Sequence, residues 1–210
     1  MARLQPRRWQ RLFGARKPIP IMIVSGLPRS GTSMLMQMLV AGGLEVMTDH
    51  RRQADTNNPR GYFEFEPVKA LAEAGDTSWL DAAHGKVVKI ISSLLPHLPT
   101  AKTYKVLFVE RHLQEVLASQ HRMLDHLGKS VDATDDTTMQ RQFTRHLGQV
   151  KAWLREQSHI DVLYISHAEV IAAPQAVAER IQAFLKHPLQ VEAMAAAVQP
   201  QLYRNRATGN

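Results

Sequence analysis

The chain has 210 residues, enough for one domain with a single core, and its 44% hydrophobic and 21% charged residues make an ordinary globular balance. It has no cysteine, which excludes disulfides and thiolate metal sites and makes a reducing cytoplasm the expected compartment. Of the net charge of +7, six positive charges (Arg3, Arg7, Arg8, Arg11, Arg16 and Lys17) fall in residues 1–18, which hold no Asp or Glu. This is a basic arm rather than a basic domain. It is expected to be solvated and flexible, with at most weak contact to a membrane surface or other anion and no specific nucleic acid.

The apolar run Ile19–Ser25, bounded by prolines and glycine, reads as a buried parallel strand. It is far shorter than the ~18 apolar residues a membrane span needs. A glycine loop, Gly26–Ser33, follows. Met34–Ala41 is expected to be a helix ended by Gly42-Gly43. Residues 48–66 read as a long polar loop turning aromatic, and Pro67–Ala74 as a short helix. Lys86–Ile91 and Tyr104–Glu110 read as the second and third strands, with a helix at His112–Leu127. After a polar break at Asp132–Thr138 come a long helix at Met139–Gln157 and a fourth strand at Asp161–Ser166. Helices at Pro174–Lys186 and Val191–Val198 complete the chain. Strands alternating with helices predict an α/β fold over residues 19–210: a single three-layer α/β/α domain with a mainly parallel sheet.

Gly26-Leu27-Pro28-Arg29-Ser30-Gly31-Thr32-Ser33 has the make-up of a phosphate loop. Glycines five apart let the backbone curl so that several N–H groups point at one centre, and the following helix adds its positive end. Arg29 adds a charge, and Thr32 and Ser33 add hydroxyl donors. The nucleoside-triphosphate version of such a loop carries Lys after its second glycine; Thr32 stands there instead, which argues against ATP or GTP hydrolysis.

At this loop the sequence resembles the sulfotransferase family. Pro28-Arg29-Ser30-Gly31-Thr32-Ser33 matches that family's 5′-phosphosulfate loop position by position. Val106–Arg111 is similar to its strand ending in Arg, with Ser119 eight residues on, the pair that holds a 3′-phosphate. Val162–Ser166, Pro174 and Phe184-Leu185 are similar to its late strand, proline and helix, with Ala168-Glu169 near its usual Glu-Asp. The three segments span residues 20–186. The resemblance implies a P-loop nucleoside-triphosphate-hydrolase-like fold. It implies 3′-phosphoadenosine 5′-phosphosulfate (PAPS) as donor, no metal, and an acceptor hydroxyl or amine. It also implies a late basic segment over the 3′-phosphate, for which Arg204 in Tyr203-Arg204-Asn205-Arg206 is the candidate.

In-line sulfuryl transfer calls for a general base and a cation near the leaving oxygen. Lys86–Ile91 resembles the family strand that ends in Lys-Thr-His, which places Lys89 as the cation. Ile91 occupies the histidine position. Aligned instead on the tyrosylprotein-type members, whose base belongs to a glutamate pair, the chain offers Asp49 and His50, with His50 on the catalytic member. Glu64, Glu66 and His84 are further candidates. Tyr62, Phe63, Phe65 and Trp79 are expected mainly in the core, with an acceptor pocket as the other reading. Two rival functions remain: a nucleotide or small-molecule kinase of the same fold, and a non-catalytic nucleotide-binding protein whose basic arm engages anionic partners.

Overall fold

A computed structural model of the chain describes residues 19–49, 61–73, 75–126 and 136–199. The apolar run after Pro20 forms strand β1 (Ile21–Gly26), and all six of its residues are buried. Such a strand must be covered on both faces, which a parallel sheet between two helical layers achieves. The sheet contains β1, β2 (Val46–Met47), β3 (Val87–Lys89), β4 (Tyr104–Glu110) and β5 (Ile160–Ser166) in the order β2-β3-β1-β4-β5. Every pairing is parallel.

Side chains alternate across the strands, and each face has its own core. Met22, Val24, Leu107 and Val109 point to one face. They meet Leu35, Met36 and Leu39 of α1 (Thr32–Ala41), Ile181 and Leu185 of α5 (Pro174–Leu185) and Met194 of α6 (Val191–Ala196). Ile21, Ile23, Val106 and Phe108 point to the other face. They meet Val150 and Leu154 of α3 (Asp136–Glu156), together with Leu71, Leu80 and Leu95 from short 3-10 helices at Glu66–Glu73, Ser78–Asp81 and Ser92–His97. The expected three layers are therefore present. Helix α2 (Leu113–His126) follows β4, and α4 (His167–Ala172) follows β5 directly.

The differences from expectation are local. β2 has only two residues, too few to show alternation. α4 occupies the stretch between the fourth strand and Pro174, where the sequence reading places no element; Ser166 caps it by accepting from the Glu169 N–H at 3.5 Å. The helix expected at Pro67–Ala74 is a 3-10 helix starting at Glu66. The long helix α3 begins at Asp136 rather than Met139.

Because all strands run the same way, their carboxyl ends (Gly26, Lys89, Glu110 and Ser166) share one rim of the sheet. His84 lies at the opposite rim. It bridges to Ile21, the first residue of β1, and its Nδ1 is 2.6 Å from the Ile19 carbonyl oxygen.

Candidate active site

The loop after β1 is fixed by backbone conformation and by lack of room. Its first turn closes with the Ser30 N–H donating to the Leu27 carbonyl at 3.1 Å. Arg29 takes a left-handed conformation (φ 68°), and Gly31, at φ 106°, caps α1. A Cβ on Gly26 would lie 2.6 Å from the Val109 carbonyl oxygen, and one on Gly31 would lie 2.5 Å from Cδ2 of His167. Glycine is required at both places for conformation and for space. Within the curl, the Ser30 hydroxyl is buried and has no hydrogen-bond partner among the described residues. The first N–H groups of α1 have no acceptor within the helix. The loop thus presents donors at a positive helix end, the chemistry that holds an anion.

The second motif meets the first. The Arg29 Nε donates to Ser119 Oγ at 3.0 Å across 90 residues of chain. Arg111, at the exit of β4, donates from Nη1 to the Arg29 carbonyl at 3.2 Å and from Nε to Glu115 Oε2 at 2.9 Å. The Arg111 and Glu115 side chains are only 9% and 7% exposed, so this i,i+4 pair is a buried one that fixes the guanidinium. Glu115 was not singled out from the sequence, although its spacing from Arg111 on α2 is the readable signal.

His167, also unanticipated, begins α4 at the exit of β5 and packs its ring edge on Gly31. Burial, with Arg111 nearby acting in the same direction against a weaker opposing pull from Glu115, pushes its pKa from the ordinary 6.5 to about 4. It is neutral at physiological pH. Loop, Arg111 and His167 therefore converge from three adjacent strand ends.

On the other side of β1, Lys89 donates from Nζ to Ser33 Oγ at 3.3 Å and to the Tyr62 carbonyl at 2.9 Å. It ties the loop to the 61–65 segment. Asp49 Oδ2 accepts from the Glu66 N–H at 2.7 Å and so caps the 3-10 helix that starts there. The Glu64 carbonyl accepts from the Thr48 hydroxyl and the Asp49 N–H. Glu66 pairs with Lys69. His50 and Arg204 lie outside the described residues, as does the arm 1–18. The aromatics are mostly core: Tyr62 is buried, and Phe65 and Trp79 form an edge-to-face pair at 5.4 Å against the second core. The strand expected at Lys86–Ile91 is confined to Val87–Lys89, and Ile91, two residues past its end, is 40% exposed.

Three outcomes follow for the cluster. Glu115→Ala leaves a buried guanidinium uncompensated and should cost about 3–5 kcal/mol in urea unfolding. A loss under about 1 kcal/mol would show the pair to be dispensable. Gly31→Ala should destabilise the fold, and a double-mutant cycle with His167→Ala should give a coupling above about 0.5 kcal/mol; strict additivity would mean the two residues do not press on each other. His167 has a depressed folded-state pKa, so its contribution is whole above pH 6.5 and lost as pH falls toward 4. The loss is on the order of 3 kcal/mol. A His167→Gln variant should flatten that part of the stability–pH curve.

Residues 20–205 match the family model described as the sulfotransferase domain. No curated protein sequence matches the chain. Among solved structures, the sulfotransferase domain from the curacin biosynthetic pathway is similar, at 13% identity and TM-score 0.52, covering 93% of this chain and 94% of that one. The sulfotransferase domain from the Synechococcus PCC 7002 olefin synthase is 16% identical at TM-score 0.51, covering 97% and 85%. The sulfotransferase from Alicyclobacillus acidocaldarius is 14% identical at TM-score 0.52, covering 87% of each chain. At these identities the structures establish a shared P-loop-like fold. With the family model spanning the sheet, the glycine loop and the Arg111–Ser119 segment, the chain belongs to the sulfotransferase domain family.

Proposed function

We propose that the chain transfers a sulfuryl group from PAPS to a hydroxyl or amine of an acceptor by in-line displacement. The observation that carries this reading is the contact between the two motifs: Arg29 Nε on Ser119 Oγ at 3.0 Å, with Arg111 on the Arg29 carbonyl. The loop and the Arg-Ser pair form one continuous anion site, the arrangement a nucleotide with phosphate groups at both its 5′ and 3′ positions would need. The buried Ser30 hydroxyl and the side-chain-free backbone at Gly26 and Gly31 fit a negatively charged group inside the curl.

In this reading Pro28, Arg29, Ser30, Gly31, Thr32 and Ser33 surround the 5′-phosphosulfate. Arg111 and Ser119 hold the 3′-phosphate, with Arg204 joining them. Lys89, already on Ser33, supplies the cation for charge developing on the leaving phosphate oxygen. His50, Glu64 and Asp49 are the base candidates of the sequence reading; of these, the Asp49 carboxylate is already engaged as a helix cap. Thr32 in place of a loop lysine sets the reading apart from a kinase of the same fold. The reading takes residues 19–210 as one catalytic unit that works in the cytoplasm.

Thermal unfolding with ligands tests the donor. Adenosine 3′,5′-bisphosphate at about 100 times its Kd should stabilise the protein by about 2.7 kcal/mol, while ATP-Mg leaves the transition nearly unmoved. Equal shifts, or a larger one with ATP-Mg, would sink the PAPS assignment. Incubation with sulfur-35 PAPS and a panel of hydroxyl and amine acceptors should then yield a labelled product. Bisphosphate binding without any transfer would favour the non-catalytic reading.

A further inference from the structure

The family strand that Lys86–Ile91 resembles ends in a base, and here Ile91 stands at that place, 40% exposed and unable to take a proton. The next residue, Ser92, is 1% exposed, and its Oγ lies 2.8 Å from Nε2 of His146. Ser92 is three residues past Lys89, so their Cα atoms are at most about 11 Å apart. The Lys89 ammonium lies on Ser33 of the glycine loop. Ser92 therefore opens at the same rim of the sheet as the loop.

His146 reaches this rim from α3. On that helix His146 shares the half-buried face with Phe143, Leu147, Val150 and Leu154. Lower on the helix, Lys151 pairs with Glu110, the last residue of β4. The helix runs down toward the start of β5, so His146, five residues nearer its N-terminus, lies about 7.5 Å along the helix axis from Lys151, on the side of the strands' carboxyl ends. Burial lowers its pKa, and no charged group from α2, α3 or the 92–97 helix contributes to the shift. Ser92 engages Nε2 and leaves Nδ1 to take a proton. A neutral imidazole held this way is a competent base at pH 7. The other candidates stand less well, since Asp49 caps Glu66 and His84 sits at the far rim.

We infer that His146 is the general base of the transfer and that Ser92 positions it. The inference rests on the sulfuryl-transfer reading above. The acceptor oxygen or nitrogen forms a bond to sulfur, and its proton moves to Nδ1 of His146. The sulfur–oxygen bond to the 5′-phosphate breaks, and its electron pair leaves on adenosine 3′,5′-bisphosphate.

The test uses the full chain, sulfur-35 PAPS, and phenol, benzylamine and water as acceptors. His146→Gln should transfer label about 10²–10⁴-fold more slowly at pH 7, with the thermal shift given by adenosine 3′,5′-bisphosphate unchanged. His146→Ala should regain part of the rate when imidazole is added, which a packing role would not produce. Ser92→Ala should lose less, and the acid limb of its pH–rate profile should move. A His146→Gln rate within threefold of the parent, with the donor shift intact, overturns the inference, as does failure of imidazole rescue. An unaltered chain that binds the bisphosphate but transfers to none of the three acceptors overturns the sulfuryl-transfer reading itself.

Discussion

The contact that the site depends on is the meeting of three strand exits at Gly31. The loop leaving β1 rests on the His167 ring at the start of α4, and Arg111 at the end of β4 holds the Arg29 carbonyl. None of the three can move alone. A buried parallel sheet fixes where its strands end to within the pleat, and the residues just past those ends inherit that precision. The left-handed Arg29 is a conformation that costs a non-glycine residue free energy, whereas Gly26 and Gly31 take positive φ freely. Val109, Ser30 and His167 fill the space beside the two glycines.

Charge at this junction is arranged with the same economy. Arg111 is paired with Glu115 in a nearly dry setting, which fixes the direction of its planar guanidinium. His167 lies beside that arginine and stays neutral because burial and Arg111 both disfavour its proton. A protonated ring there would set a second cation against the first. The junction therefore carries Arg29 and Arg111 with a neutral histidine beside them, not a further cation, next to a loop whose buried hydroxyl and helix end already favour an anion.

Much of this arrangement was legible in the residues. The strand–loop–helix at Ile19–Ala41 declared itself through an uninterrupted apolar run and two glycines five apart. The Arg111–Ser119 spacing placed both residues on the rim, and the structure joins Ser119 to Arg29. Other parts left no local signal. β2 is two residues long and exists only by pairing with β3. α4 is six residues, below the length at which periodicity shows. His167 is one histidine at a strand end, and its place against Gly31 depends on β5 lying two strands from β1. The Ser92–His146 contact spans 54 residues and so leaves no local pattern in the sequence. His50 and Arg204 lie outside the described residues, so their expected roles rest on the resemblance alone.

The division between what was readable and what was not follows the two halves of the site. The half made by the glycine loop, Arg111, Ser119 and His167 is built at the exits of β1, β4 and β5, where short fixed spacings do the positioning. The half across β1 is built from residues 61–73 and 75–97, three 3-10 helices, their turns and the short strand β3, where packing partners are far apart in sequence. Lys89 is where the halves meet, because one ammonium donates both to Ser33 of the loop and to the Tyr62 carbonyl of the other half. A shift in the 61–65 segment thus reaches the loop through a single charged hydrogen bond. This makes Lys89 more than a source of positive charge: it registers one half of the site against the other.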